Sequence, residues 1–298
     1  MTKDWLKTIG LGPRDRAVIV HADDVGMSQA GLSAFEELWD YGTVSSGAAM
    51  APCPWFPAAA AYCREHPDVD MGIHATLTSE WDGFRWGPLS TRAVVSGLLD
   101  AEGCFPKTSR QVQSTGTAAA GNLELEAQAD RLLASGIDPT HIDTHMGAVA
   151  HEKFMEGYIA QAIRLRIPAM LPKPDAVGFD GMVPDPVARA AFAGYLRSLE
   201  SRGLPLLDAI AMMPLDEPGD QRETAKRILR SLPEGGISHF ILHPANDTPE
   251  LRAACKDWES RVGNFRCFMS KEIKEFLRDE GVILIGYRAL RDAMRSGV

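Results

Sequence analysis

Short apolar runs bounded by Gly, Pro and Asp alternate along this chain with longer stretches whose apolar residues recur at helical spacing. This alternation constrains the fold more than any other feature. Strand–helix–strand units align their strands in parallel and cover them with helices, so the predicted class is α/β. Residues 16–21 read as the first strand. A helix follows over 29–41, with Leu32, Phe35, Leu38 and Trp39 at helical spacing and Gly42 as its stop. Further strands are expected at 43–50, 71–77, 141–145, 206–212, 239–243 and 282–286. Helices are expected at 58–66, 123–135, 153–165, 221–232, 271–279 and 288–295. For the helix at 123–135, Asn122 is the expected N-cap and Gly136 the glycine just past the end. Residues 1–298 read as one domain. Two stretches, 83–117 and 173–185, break the rhythm and read as long excursions of functional or mobile character.

Composition narrows the function classes. The chain has 31 Lys and Arg against 40 Asp and Glu, a formal net charge of −9. That argues against a nucleic-acid surface, while leaving room for an anionic small substrate in a locally basic pocket. Five cysteines are scattered without CxxC spacing, which reads as free thiols in a reducing compartment. The N-terminal segment lacks the apolar core of a signal peptide. No segment reaches the ~18–20 apolar residues of a membrane span, and a cytoplasmic location is expected. Barrels of this size often pair, so a homodimer is also an expectation. No GxSxG, P-loop or GxGxxG motif appears, which removes support for serine hydrolase, nucleotide-triphosphatase and dinucleotide chemistry.

The polar residues fall at strand ends. AVIVHADD ends in Asp23 and Asp24, MGIHATLT carries His74, THIDTHMG carries His141, Asp143 and His145, and HFILHPAND carries His243 and Asp247. In a barrel of parallel strands these ends converge at the C-terminal face, where active sites form. Each has a plain alternative. Asp23-Asp24 could form a turn or helix cap, His74 could be a hydrogen-bonded core histidine, and His243 before Pro244 could simply end its strand. HIDTH is harder to dismiss, because period-two alternation puts three polar groups on one strand face. A carboxylate with two imidazoles is a normal ligand set for a divalent metal, zinc suiting imidazole and magnesium preferring oxygen. His21, His66, His151 and His239 read as structural or surface. Trp81, Phe84 and Trp86 in SEWDGFRWGPL could present exposed faces for stacking on sugar rings, or pack beneath their own loop.

These motifs resemble, in order, those of the YdjC-like carbohydrate deacetylases. HADDVGMS resembles the NADDFGxS opening, GIHATLT the GxHxxLT strand, THIDTHMG the THxDSHxH strand, and ILHPA the CHP strand. The resemblance runs across most of the chain. It implies a distorted (β/α) barrel of the polysaccharide-deacetylase and glycoside-hydrolase type, and removal of acetyl groups from N-acetylated sugars, oligosaccharides included. It further implies a divalent ion, Mg2+ or Zn2+, held by Asp24, His74 and His145, with Asp23 as catalytic base and His243 as acid. Trp81, Trp86 and Asp143 are expected at the substrate. The chain departs from the pattern at His21, which stands where Asn is usual, and at Met146-Gly147, which replace further histidines. No Arg occurs in AMLPKPD, where Lys173 is the candidate substitute. Rival readings are a phosphoesterase or other amidohydrolase using the same metal set, a sugar-binding protein that has lost turnover, and a barrel with a structural metal.

Overall fold

A computed structural model describes residues 4–297. Among these residues one sheet contains eight strands: β1 Arg16–Val25, β2 Ser46–Ala49, β3 Met71–Ala75, β4 Ile142–Thr144, β5 Pro172–Val177, β6 Leu207–Met212, β7 Gly236–Leu242 and β8 Val282–Leu284. Every neighbouring pair is parallel, in the order β4-β3-β2-β1-β7-β6-β5. β8 joins the lower half of β1, at Arg16 to Val18, below the segment of β1 that pairs with β2. The path curls until its two end strands approach, and a single bridge between Ile142 and Ala169 spans the seam. The result is a distorted α/β barrel, as expected.

β1 and β7 are buried along nearly their whole length, the pattern of parallel strands covered on both faces. The outer covering comes from helices Gln29–Tyr41, Ala118–Ala134, Glu152–Leu165, Pro186–Ser201 and Lys271–Asp279, which pack on β1, β3, β4, β5 and β8 in turn. Alternation along β1 sorts its side chains. Val18, Val20 and Ala22 join the main core, while Ala17 and Ile19 pack in a smaller cluster with Leu207, Ile237 and Tyr287. That second column continues to His21 and Asp23, so it turns from apolar to polar toward the C-terminal ends of the strands.

Several boundaries differ from expectation, each for a local reason. β1 runs through Val25 rather than stopping at His21, so the two aspartates belong to the strand itself. The helix expected from Leu123 begins at Ala118, capped by Thr117 Oγ1, which accepts from Ala120 N at 3.2 Å. Three alanines, strong helix formers, extend it, and Asn122 lies inside it rather than capping it. Gly42 and Gly136 do sit in the left-handed region just past their helices. The stretch 173–185 is not a plain excursion: it carries most of β5 and the short helix Phe179–Met182. Pro172 and Pro174 mask a strand in the sequence, yet an edge strand has a side where no amide needs a partner. The stretch 83–117 is mostly loop, interrupted by the turn Val94–Ser96 and helix Ser109–Thr115. Arg85 ties it down, bonding Asp100 and Glu102 at 2.6 Å and the Phe105 carbonyl at 2.7 Å.

Candidate metal and catalytic centre

Adjacent residues on a regular strand face opposite ways, so Asp23 and Asp24 should diverge. They do not. The β1–β2 register is irregular between Ala22 and Val25, and Asp24 takes φ 62°, a left-handed conformation that Asp tolerates better than most residues. Both carboxylates therefore reach His74: its Nε2 lies 3.2 Å from Asp24 Oδ1 and 3.8 Å from Asp23 Oδ2. His145, the residue after β4, brings Nδ1 to 3.0 Å from the same Asp24 Oδ1. Strand ends far apart in sequence thus converge as the barrel reading required.

Asp24, His74 and His145 offer donor atoms that all lie within 4.8 Å of one another. Asp24 Oδ1 and His74 Nε2 are buried, and neither has a hydrogen-bond partner. Close, unaligned donor atoms of this kind suit a shared cation better than a hydrogen bond. The surrounding bonds orient the three groups. Asp143 Oδ1 lies 2.7 Å from His74 Nδ1, Glu80 Oε2 lies 3.0 Å from His145 Nε2, and Arg261 Nη1 donates to Asp24 Oδ2 at 2.7 Å. Carboxylates behind imidazole ligands fix the ring and raise its basicity. Burial alone would push the Asp24 carboxyl up. The charges of His145 and Arg261 outweigh it and hold the group well below its usual range.

Asp23 sits beside this triad with a different environment. Its Oδ1 faces His21 Nε2 at 3.3 Å, and its Oδ2 faces His243 Nε2 at 3.6 Å. Burial pushes its carboxyl up to about 7, against the opposing pull of His74. His243 follows β7 and is held from behind: its backbone N–H donates to Asn264 Oδ1 at 2.9 Å, and Asn264 Nδ2 donates to Gln221 Oε1 at 2.7 Å. Burial lowers its imidazole to about 3, so the ring is neutral at rest.

Several residues expected at the site are placed as follows. Asp143 is 1 % exposed, one oxygen lying against His74 and the other 2.8 Å from His21 Nε2. Trp81 and Trp86 are not open platforms, at 7 % and 4 % exposure. Trp86 Nε1 donates to the Thr78 carbonyl at 2.8 Å and its ring lies 6.2 Å from that of His145, while the Arg261 guanidinium sits 5.7 Å from the Trp81 ring. The two indoles pack beside His145 and Arg261, and Arg85 cross-links their excursion internally through Asp100, Glu102 and the Phe105 carbonyl. Lys173 pairs with Asp208 at 2.7 Å instead of with the site carboxylates. The cation at the site is Arg261, on helix Trp258–Phe268, which no sequence motif marks. Glu80 is equally inconspicuous. Its only signal is its place in TLTSEW, a few residues beyond His74. Met146 has φ 52° and is 46 % exposed, so a flexible thioether stands at the mouth after His145.

This is a parallel α/β barrel whose strand ends set a buried carboxylate between two imidazoles, with a second carboxylate and a further imidazole alongside, a group that could hold a metal ion. The particular family is settled by sequence: the chain belongs to the YdjC-like protein family, whose model matches residues 17–279. A carbohydrate deacetylase of Thermus thermophilus is 29 % identical over 294 residues, covering 98 % of this chain and 99 % of the relative. Another, from Thermoanaerobacter pseudethanolicus, is 25 % identical, covering 92 % and 99 %. The crystal structure of a putative cellobiose-phosphate cleavage protein from Enterococcus faecalis superposes with a TM-score of 0.76 at 22 % identity, over 93 % of this chain and 99 % of that one. This last likeness shows the fold.

Proposed function

We propose that this protein is a metal-dependent carbohydrate deacetylase, a hydrolase that cleaves the amide of an N-acetylated sugar. Near full-length similarity to relatives named for that activity supports the reading. The observation that carries it is the division of labour at the end of β1: Asp24 stands 3.2 Å and 3.0 Å from the two imidazoles, while Asp23 stands beside them with Oδ2 3.6 Å from His243 Nε2. A pure binding site has no use for the second carboxylate. Asp24, His74 and His145 would hold the ion. When bound, it would supply Lewis-acid polarisation of the acetyl carbonyl and acidification of a water. Mg2+ and Zn2+ are both candidates, and the two imidazoles favour zinc.

The chain's own groups move the protons. Asp23, pushed up to about 7, is a competent acceptor for the proton of the attacking water near neutral pH. His243 rests neutral, so it must be charged during turnover before it can protonate the departing amine. Asp23 Oδ2 lies 3.6 Å from His243 Nε2, which puts the two proton-handling groups side by side. Asp143, Glu80 and Arg261 act by holding the others in place.

The test pairs bound-metal analysis with acetate release from N-acetylglucosamine oligomers, for wild type, His145→Ala and Asp23→Asn. Metal and acetate should be lost together in His145→Ala. Asp23→Asn should retain metal while kcat falls by about 10²–10⁴-fold, the scale of one general acid–base group. Full activity in Asp23→Asn would remove it as the base. Phosphate esters cleaved in place of acetylated sugars would transfer the site to another hydrolase reaction.

A further inference from the structure

One step deeper in the barrel lies a second group, which shares Asp23 and Asp143 with the centre already described and adds His21 and His239. His21 and Asp23 come from β1, Asp143 from β4 and His239 from β7, and all four are buried. One donor atom from each lies within 4.8 Å of all the others. His21 Nε2 is 2.8 Å from Asp143 Oδ2 and 3.3 Å from Asp23 Oδ1. Despite these distances, His21 Nε2, Asp23 Oδ1, Asp143 Oδ2 and His239 Nε2 all lack a hydrogen-bond partner.

Buried polar atoms are rarely left unsatisfied, and four in one place call for a common partner. Two carboxylates there also need positive charge, because buried anions are stable only when paired. His74 lies 2.7 Å from Asp143 Oδ1 and 3.8 Å from Asp23 Oδ2 and offsets part of that charge, while Arg261 is engaged with Asp24 and Asp257. The two shortest spacings, 2.8 Å and 3.3 Å from His21 Nε2, are those of ligands around a small cation. With bonds of about 2.1 Å, neighbouring ligand atoms fall about 3.0 Å apart in an octahedron and about 3.4 Å apart in a tetrahedron. His239 is already oriented as a ligand would be. Its Nδ1 lies 2.8 Å from the Tyr287 hydroxyl, which leaves Nε2 turned toward the group.

We propose that His21, Asp23, Asp143 and His239 form a second site for a divalent cation that accepts mixed nitrogen and oxygen ligands, of the Zn2+ or Mn2+ type. Asp143 joins the two sites, with Oδ1 toward His74 and Oδ2 toward the inner group. Asp23 presents Oδ1 inward and keeps Oδ2 at the mouth. His21, which stands where the family pattern has Asn, supplies the imidazole that makes the inner set complete.

The test counts ions and does not depend on any activity. Chelated full-length protein is loaded with Mn2+, freed of excess by gel filtration, and analysed for metal per chain. Wild type should hold two ions, and His145→Ala and His239→Ala one each. One ion in wild type, or an unchanged count in His239→Ala, would overturn the proposal and leave the group as polar core. Should His239→Ala fail to fold, electron paramagnetic resonance of Mn2+-loaded wild type decides. A spin-coupled pair supports two sites, and only the six-line spectrum of isolated Mn2+ refutes them.

Discussion

Arg261→Met tests the electrostatic account of the centre most directly. Arg261 and Asp24 are both buried and 2.7 Å apart, and the side chain also lies near the Trp81 ring. Met approximates the volume of the Arg stem, so the main loss is charge. Removing one partner of a buried pair costs about 3–5 kcal/mol, because the other charge is left uncompensated. Its second partner, Asp257, is better solvated and adds little. An unfolding entropy of about 2.1 cal/mol/K per residue gives roughly 0.6 kcal/mol/K for this chain of 298 residues. The expected loss in Tm for chelated protein is therefore about 5–8 °C. A divalent ion on Asp24, His74 and His145 would restore positive charge beside Asp24. By linkage, saturating Zn2+ should then raise the Tm of the variant by more than it raises that of wild type. Differential scanning calorimetry of both proteins, chelated and Zn2+-saturated, supplies the four values. Equal Tm losses with and without metal would refute the coupling, and a loss below about 1 °C in chelated protein would refute the buried-pair argument itself.

Other perturbations address single contacts. Glu80→Gln keeps the shape but weakens the support behind His145 Nε2, and metal affinity should fall by about 10–100-fold in a competitive chelator titration; unchanged affinity would make Glu80 a bystander. Gly72→Ala would place a Cβ 2.3 Å from His141 Cε1 inside the barrel. Overpacking of about 1–3 kcal/mol should lower Tm by roughly 2–5 °C, and an unaltered Tm would mean the ring moves freely. Trp86→Phe removes the bond to the Thr78 carbonyl, a loss of about 1 kcal/mol, yet KM for an acetylated oligomer should hold because the indole is buried; a large rise in KM would revive the stacking role.

How far the sequence could be read follows from where the information sits. Apolar β1 and β7, the helix Gln29–Tyr41 and the helix Lys271–Asp279 are legible because burial and periodicity coincide in them. The convergence of Asp24, His74 and His145 is legible because His and Asp at strand ends are conspicuous and their meeting follows from parallel topology. What lay beyond reach depends on packing. Trp86 looks the same in sequence whether exposed or buried, and only the fold shows it bonded to Ser79 Oγ and the Thr78 carbonyl. Arg261 comes from a helix whose apolar and polar residues alternate irregularly, and only the fold brings it back to Asp24, 237 residues earlier. The left-handed backbone of Asp24 is a departure from strand geometry that strand periodicity cannot anticipate.

The seam of the barrel has a dynamic consequence. Asp24 projects from β1, a stave gripped on both edges, whereas His145 hangs from β4, which has three residues and meets the opposite stave through one bridge. The candidate ligands Asp24 and His145 are therefore unequal in stiffness: Asp24 is rooted in a strand paired on both edges, and His145 stands at the joint. The amides of Ile142 and Met170, which lace that joint, belong to the low-stability end of the molecule and should exchange with solvent hydrogen before those of β1. Any ion held by Asp24, His74 and His145 would pin the end of β4 back to β1 and β3, on its own side of the seam, and leave the joint with the opposite stave to the single bridge.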